Sequence, residues 1–180
     1  MNHTVYLIGR DGHDPALARE IALQLWDMLV DDGLVSTVFY EGQVTDAETF
    51  CRLMLSPERA LYAAWPEDSC RPSAFAWLSD QTGRAVRLHF CFFRHARRHA
   101  LPLARQFARF LLAVRDERGE RVFETIYGLL PESNLAAIRL GRKLGFRTIG
   151  VLPGAAYIAA EDRLEGLALS CLTRKEVFHG

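Results

Sequence analysis

The sequence predicts a single domain of the α/β (α+β) class, and three observations carry that expectation. First, 180 residues, 49% of them apolar, suit one ordinary hydrophobic core. Second, apolar residues recur alternately at helical and at strand spacing along the chain. Third, three consecutive strand candidates in the middle are joined by hairpin-like turns, an antiparallel meander. Lysine plus arginine equal aspartate plus glutamate at 22 each, so no overall basic excess favours nucleic acid or an anionic membrane, and any anion site must be local. Cys51, Cys70, Cys91 and Cys171 lack the spacing of a metal knuckle and lie mostly in apolar stretches. They read as reduced thiols in a cytoplasmic protein. No segment approaches the roughly 20 apolar residues of a membrane span, and the start of the chain does not read as a leader.

In order, "NHTVYLIG" forms a short strand, after which Asp14 and Pro15 cap and open a helix whose apolar stripe is Leu17, Ile21, Leu25 and Met28 or Leu29, with Gly33 ending it. "TDAE" has the Thr-x-x-Glu form of a capping box, so a second helix starts at Thr45, carries Phe50, Leu53 and Met54, and stops at Pro57. "RALYAAW", "SAFAWLS" and "AVRLHFCFF" are the three meander strands, separated by turns at "PEDSCRP" and "DQTG". A long helix bearing Leu103, Phe107, Phe110, Leu111 and Val114 follows, ending at the "RDERGE" turn. "RVFETIYGLL" is a strand, "ESNLAAIRLGRKLG" a helix, "FRTIGVL" a strand, and "LEGLALSCLTR" a final strand before a polar tail. In the second of these helices Leu135, Ile138 and Leu144 form the apolar face, and Gly145 ends it in a left-handed conformation. The predicted order is β-α-α-β-β-β-α-β-α-β-β.

That order, together with Asn134-x-x-Ala137, Lys143-Leu144-Gly145-Phe146 and the following "RTIGVLPG", resembles the GNAT superfamily of acyl-CoA-dependent N-acyltransferases. The likeness in element order spans nearly the whole chain, and the sequence motif about residues 120–175. The resemblance implies one GNAT-like domain over residues 1–180. Its sheet would be mixed, mostly antiparallel and six- to seven-stranded, flanked by about four helices. The activity implied is transfer of an acetyl or other acyl group from acetyl-CoA or another acyl-CoA to an amine, with no metal; the acceptor is unidentified, and a homodimer is compatible.

The resemblance also gives a place to "HFCFFRHARRHALP". It stands where the superfamily joins its fourth strand to the helix that holds the CoA pyrophosphate, usually through Arg/Gln-x-x-Gly-x-Gly/Ala. Small residues there let backbone N–H groups reach the phosphates. In this chain the nearest register is Arg94-x-x-Arg97-x-His99-Ala100, with both glycines replaced. The implied cofactor residues are Phe92, Phe93, Arg94, Arg97, Arg98, His99, Ala100 and Asn134, with guanidinium groups as substitute phosphate ligands. Asn134 is equally well placed to be a plain helix cap. His95 and His99 share the i, i+4 spacing of a metal pair, but no carboxylate joins them and the arginines repel a cation. Five arginines and no acid between Arg94 and Arg109 would also suit nucleic acid, or a solvated helix start.

Catalysis by direct attack needs a base for the amine and an acid for the leaving thiolate. The superfamily's tyrosine, seven residues after the motif asparagine, is Gly141 in this chain. Tyr127 and Tyr157 are substitute acids, or packing aromatics, and solvent is a third source of the proton. Strand alternation places Arg87, His89 and Cys91 on one face, with Val86, Leu88, Phe90 and Phe92 on the other. His89 is the first candidate base and Glu124 the second; no partner that would activate Cys91 is legible. Two other readings stay open: a non-catalytic domain of the same fold that binds a protein or anionic ligand, and a nucleic-acid-binding protein.

Overall fold

A computed structural model describes residues 3–9 and 14–178. Asn2, in the predicted first strand, and the last two residues of the predicted tail lie outside them. The elements are β1 (His3–Ile8), α1 (Pro15–Asp31), α2 (Val35–Val38), α3 (Ala47–Met54), β2 (Ala60–Pro66), β3 (Ala74–Thr82) and β4 (Ala85–Phe92). A 3-10 turn (Arg94–His99), α4 (Ala100–Ala113), β5 (Thr125–Pro131), α5 (Leu135–Leu144) and β6 (Arg147–Ile158) follow. The chain closes with a 3-10 turn (Ala159–Glu161), β7 (Arg163–Thr173) and α6 (Arg174–Phe178). The seven strands lie in the order β1-β2-β3-β4-β5-β7-β6. Antiparallel pairs β1–β2, β2–β3, β5–β7 and β6–β7 accompany one parallel pair, β4–β5, in which Ala85–Arg87 match Thr125–Tyr127. The mixed, mostly antiparallel sheet is as the sequence predicts. The chain adds α2, and α6 stands where a polar tail was expected.

Two compact units share this chain. The first takes residues up to Ser79, His89–Arg98 and Ala159–Glu161. Its core is aromatic: Phe50 is fully buried and meets Trp26, Phe39 and Phe75 at centroid distances of 5.6, 5.9 and 5.9 Å. Trp77 stacks on Phe75 and on Phe39, and Phe93 tilts against Phe75. Each such pair contributes about 0.5–1.5 kcal/mol beyond area burial. Asp14 caps α1 by accepting the Ala16 N–H, as predicted. The predicted Leu25, Met28 and Leu29 are buried, together with Trp26. At the N-terminal end the buried residues are Ala18 and Ala22, and Leu17 is 53% exposed. In α3 the cap is Asp46 rather than Thr45: its carboxylate accepts the Thr49 N–H at 2.8 Å and the Thr49 hydroxyl at 2.9 Å. Those bonds, the backbone one foremost, hold the Asp46 carboxyl below its ordinary range.

The second unit takes Asp80–Leu88, His99–Ile158 and the residues from Asp162 onward. Ile126 on β5 faces Leu172 on β7, and both are buried. Strand β6 runs well beyond the predicted stretch, and Arg147 to Ala155 are all exposed. Helix α5 buries none of its residues fully, and Leu135 is exposed, contrary to the expected apolar face. Its end is as predicted: Gly145 has φ +98, a conformation that favours glycine, and the Phe146 N–H returns to the Gly141 carbonyl. Phe110, expected inside α4, is exposed, and β5 starts at Thr125 rather than Arg121.

Candidate functional site

His89 lies on β4 with its ring parallel to the Trp77 indole, 4.4 Å between centroids and 5° between planes. Its Nε2 is 3.0 Å from the Ser79 hydroxyl. Ser79 and Trp77 are two residues apart on β3, so both project from the same face of that strand. Cys91, two residues beyond His89, is buried in the aromatic core; Phe90 and Phe92 pack on each other at 5.6 Å, as the predicted alternation requires. Burial first, and Asp32 second, push the Cys91 thiol up to about 12, with Arg97 opposing. The thiol is therefore a core group and no nucleophile.

After Phe93 the chain enters a 3-10 turn instead of the first turn of a long α-helix. At three residues per turn, Arg94 and Arg97 share one ridge, His95 and Arg98 a second, and Ala96 and His99 a third. Ala96 is buried, while Arg94, His95, Arg97 and Arg98 are exposed. His95 and His99 are about 120° apart in this geometry, so the α-helical metal spacing does not form. Three backbone donors at the start of the turn are engaged within the protein: Phe93 N–H bonds the Ser73 carbonyl, Arg94 N–H the Asp32 carboxylate at 2.6 Å, and Ala96 N–H the Phe93 carbonyl. Phe93 itself is fully buried, and Phe92 and Ala100 are half-buried. His95 stacks on Phe93, and burial, then Arg71, hold its imidazole below the ordinary range against Asp32. Helix α4 follows with no side-chain cap at His99 and no acid in its first turn.

The other predicted positions have local structural partners. Asn134 caps α5, its Oδ1 accepting the Ala137 N–H at 3.2 Å. Glu124 precedes β5, pairs with Arg121 at 3.3 Å, and is bonded through its backbone to Arg84 and Arg174. The Tyr127 hydroxyl donates to the Asp80 carbonyl at 2.9 Å, and Arg87 pairs with the Asp80 carboxylate. Burial, then Asp80, raise the Tyr127 phenol above its ordinary range. The Tyr157 hydroxyl donates to Asp162. Ser79, Trp77 and Asp32 were not among the sequence candidates. Their roles depend on which strand or helix end lies alongside, and no local spacing encodes that.

A cavity of about 440 Å³ is lined by Phe39, Tyr40, Val44, Ser36, Thr45 and Ala159, among others, with no charged side chain in its wall. The Ala159 N–H bonds the Tyr40 carbonyl at its rim. Gly42, at φ +75, lies where a Cβ would come within 2.9 Å of the Ala159 side chain, so glycine is required there.

The element order, with its parallel β4–β5 pair and β5-α5-β6-β7 end, is consistent with the fold of the GNAT acetyltransferases. Among solved structures, the chain superposes on a probable acetyltransferase of the GNAT family from Chromobacterium violaceum with a TM-score of 0.70. Identity is 21%, over 96% of this chain and 84% of that one. Spermidine N-acetyltransferase from Vibrio cholerae, in complex with CoA and spermine, gives 0.66 at 12% identity over 96% and 97%. The yncA protein of Salmonella typhimurium, solved with its cofactor acetyl-CoA, gives 0.62 at 14% over 95% and 93%. Comparison with protein-family models and with curated protein sequences gives no match. At these identities the likeness establishes the fold.

Proposed function

We propose that the chain is a single-domain, acyl-CoA-dependent N-acyltransferase that moves an acetyl group from acetyl-CoA to an amine by direct attack. The observation that carries this reading is the fold likeness, over nearly the whole chain, to acetyltransferases solved with CoA or acetyl-CoA. Acyl-CoA would bring the activated thioester, leaving the protein to position the reactants and move protons. The exposed guanidinium groups of Arg97 and Arg98 suit the cofactor's phosphates, since the amides of Phe93, Arg94 and Ala96 already donate elsewhere. His89 is the base: a half-buried imidazole with an oriented ring, whereas Glu124 is tied into an ion pair. With Gly141 at the usual tyrosine position and the Tyr127 hydroxyl donating to a carbonyl, solvent protonates the departing thiolate. Four free thiols fit a cytoplasmic setting.

Calorimetric titration with acetyl-CoA and with CoA tests the reading. Binding in the micromolar to millimolar range is expected, with acetyl transfer to an amine panel falling at least tenfold in His89→Ala. Absence of binding at millimolar cofactor would favour the second reading, a non-catalytic domain of this fold. The engaged amides of the 3-10 turn are the observation on that side.

A further inference from the structure

We propose that Ser79 is a positioning residue for His89, its hydroxyl holding Nε2 and so fixing the orientation in which the ring serves as base. The inference rests on the reading of His89 given above. Stacking on Trp77 at 4.4 Å and 5° defines the plane of the imidazole. Trp77 is itself 5% exposed and is flanked by Phe75 at 5.8 Å and Phe39 at 5.7 Å, so that plane is rigidly referenced to the aromatic core. The two ring orientations related by a 180° flip about the Cβ–Cγ bond lie in the same plane with little difference in apolar contact, the places of nitrogen and carbon being exchanged. The Ser79 hydroxyl, 3.0 Å from Nε2, favours the orientation seen, because in the flipped ring a carbon would face it.

Backbone geometry favours this role. Ser79 is the last β3 residue before Asp80, which takes the left-handed conformation at φ +50, uncommon outside glycine. Asp80 is held there by two contacts of its own, the Tyr127 hydroxyl on its carbonyl and Arg87 on its carboxylate. β3 runs on to Thr82, so this left-handed residue falls within the strand, directly after Ser79.

Ser79→Ala tests the proposal with two readouts. In protein labelled with nitrogen-15 histidine, the His89 ring nitrogens of the wild type should give one set of shifts in the absence of any ligand, with Nε2 reporting its hydrogen bond. Ser79→Ala should give an averaged pair of shifts, and Ser79→Thr, which restores a hydroxyl on a strand-favouring residue, should return the wild-type pattern. With acetyl-CoA and ethylamine as probe substrates, Ser79→Ala should lower kcat roughly threefold to tenfold, as expected for one neutral hydrogen bond, with KM for acetyl-CoA within about twofold. Unchanged His89 shifts in Ser79→Ala overturn the positioning role whatever the rates. Altered shifts together with full activity in His89→Ala overturn the base assignment and, with it, the catalytic part of this inference. The two failures are therefore distinguishable.

Discussion

Two strand-to-helix junctions in this chain start their helices in opposite ways. After β5, Ser133 donates both its N–H and its hydroxyl to Glu165, and Asn134 caps α5. After β4, the 3-10 turn carries Arg94, Arg97 and Arg98 toward a helix with no side-chain cap and no acid in its first turn. A helix N-terminus favours negative charge by a few tenths to one kcal/mol per group, so cations there work against α4. Folding accounts for the residues of the first of these junctions. At the second, the exposed arginines precede a helix whose N-terminal dipole favours negative charge, the setting in which the proposed phosphate contact would act.

The comparison is broken or sharpened most strongly by ligand affinity. Replacing Arg97 and Arg98 together by alanine should weaken CoA binding by about tenfold to a hundredfold and flatten its dependence on ionic strength. Removing Arg139 and Arg142 from α5 should change affinity by less than about threefold. Equal losses in calorimetric titration would mean that the junction after β4 is no special anion site.

Stability provides the next contrast. Asp32 is 9% exposed and accepts the Arg94 N–H at 2.6 Å, so Asp32→Ala should cost about 2 kcal/mol by denaturant unfolding. Asn134→Ala removes an ordinary cap and should cost about 1 kcal/mol. If the order is reversed, the 3-10 turn is not anchored through Asp32.

The smallest effects concern the strand that feeds the cationic turn. Burial raises the Cys91 thiol from an ordinary value near 9.0 to about 12, so the folded protein holds that proton more tightly than the unfolded chain. Its contribution is complete below about pH 9 and declines as pH rises toward about 12. Alkylation near neutral pH should accordingly modify exposed Cys70 and spare Cys91, as mass spectrometry of peptides would record. Rapid labelling of Cys91 in the folded protein would show that this strand end opens.

Much of the fold was legible because its signals are local. Asp14 and Pro15 opened α1, Gly145 ended α5, and alternation marked the meander strands. Errors came where neighbours compete for the same job. Thr45 and Asp46 both suit a cap, and the carboxylate, which accepts both the backbone N–H and the hydroxyl of Thr49, holds the position. Leu17 lost its expected place because Ala18 and Ala22 face the core of its unit. In the candidate site, His89 was legible from alternation and chemical type. Ser79 was not, since two residues ten apart become hydrogen-bonded only through the pairing of their strands.

By itself the sequence determined the class of fold, the order of the seven strands and four longer helices, and the presence of a glycine-free cationic segment after β4. Those follow from periodicity, turn residues and charge, all readable within a few positions. Tertiary structure decided that this segment forms a 3-10 turn and that the Phe93, Arg94 and Ala96 amides bond Ser73, Asp32 and Phe93. It also decided that His89 is held between an indole face and a serine hydroxyl. The physical reason is common to both. A backbone N–H or an imidazole nitrogen takes whichever partner the packed chain brings within about 3 Å, and that partner lies far away in sequence.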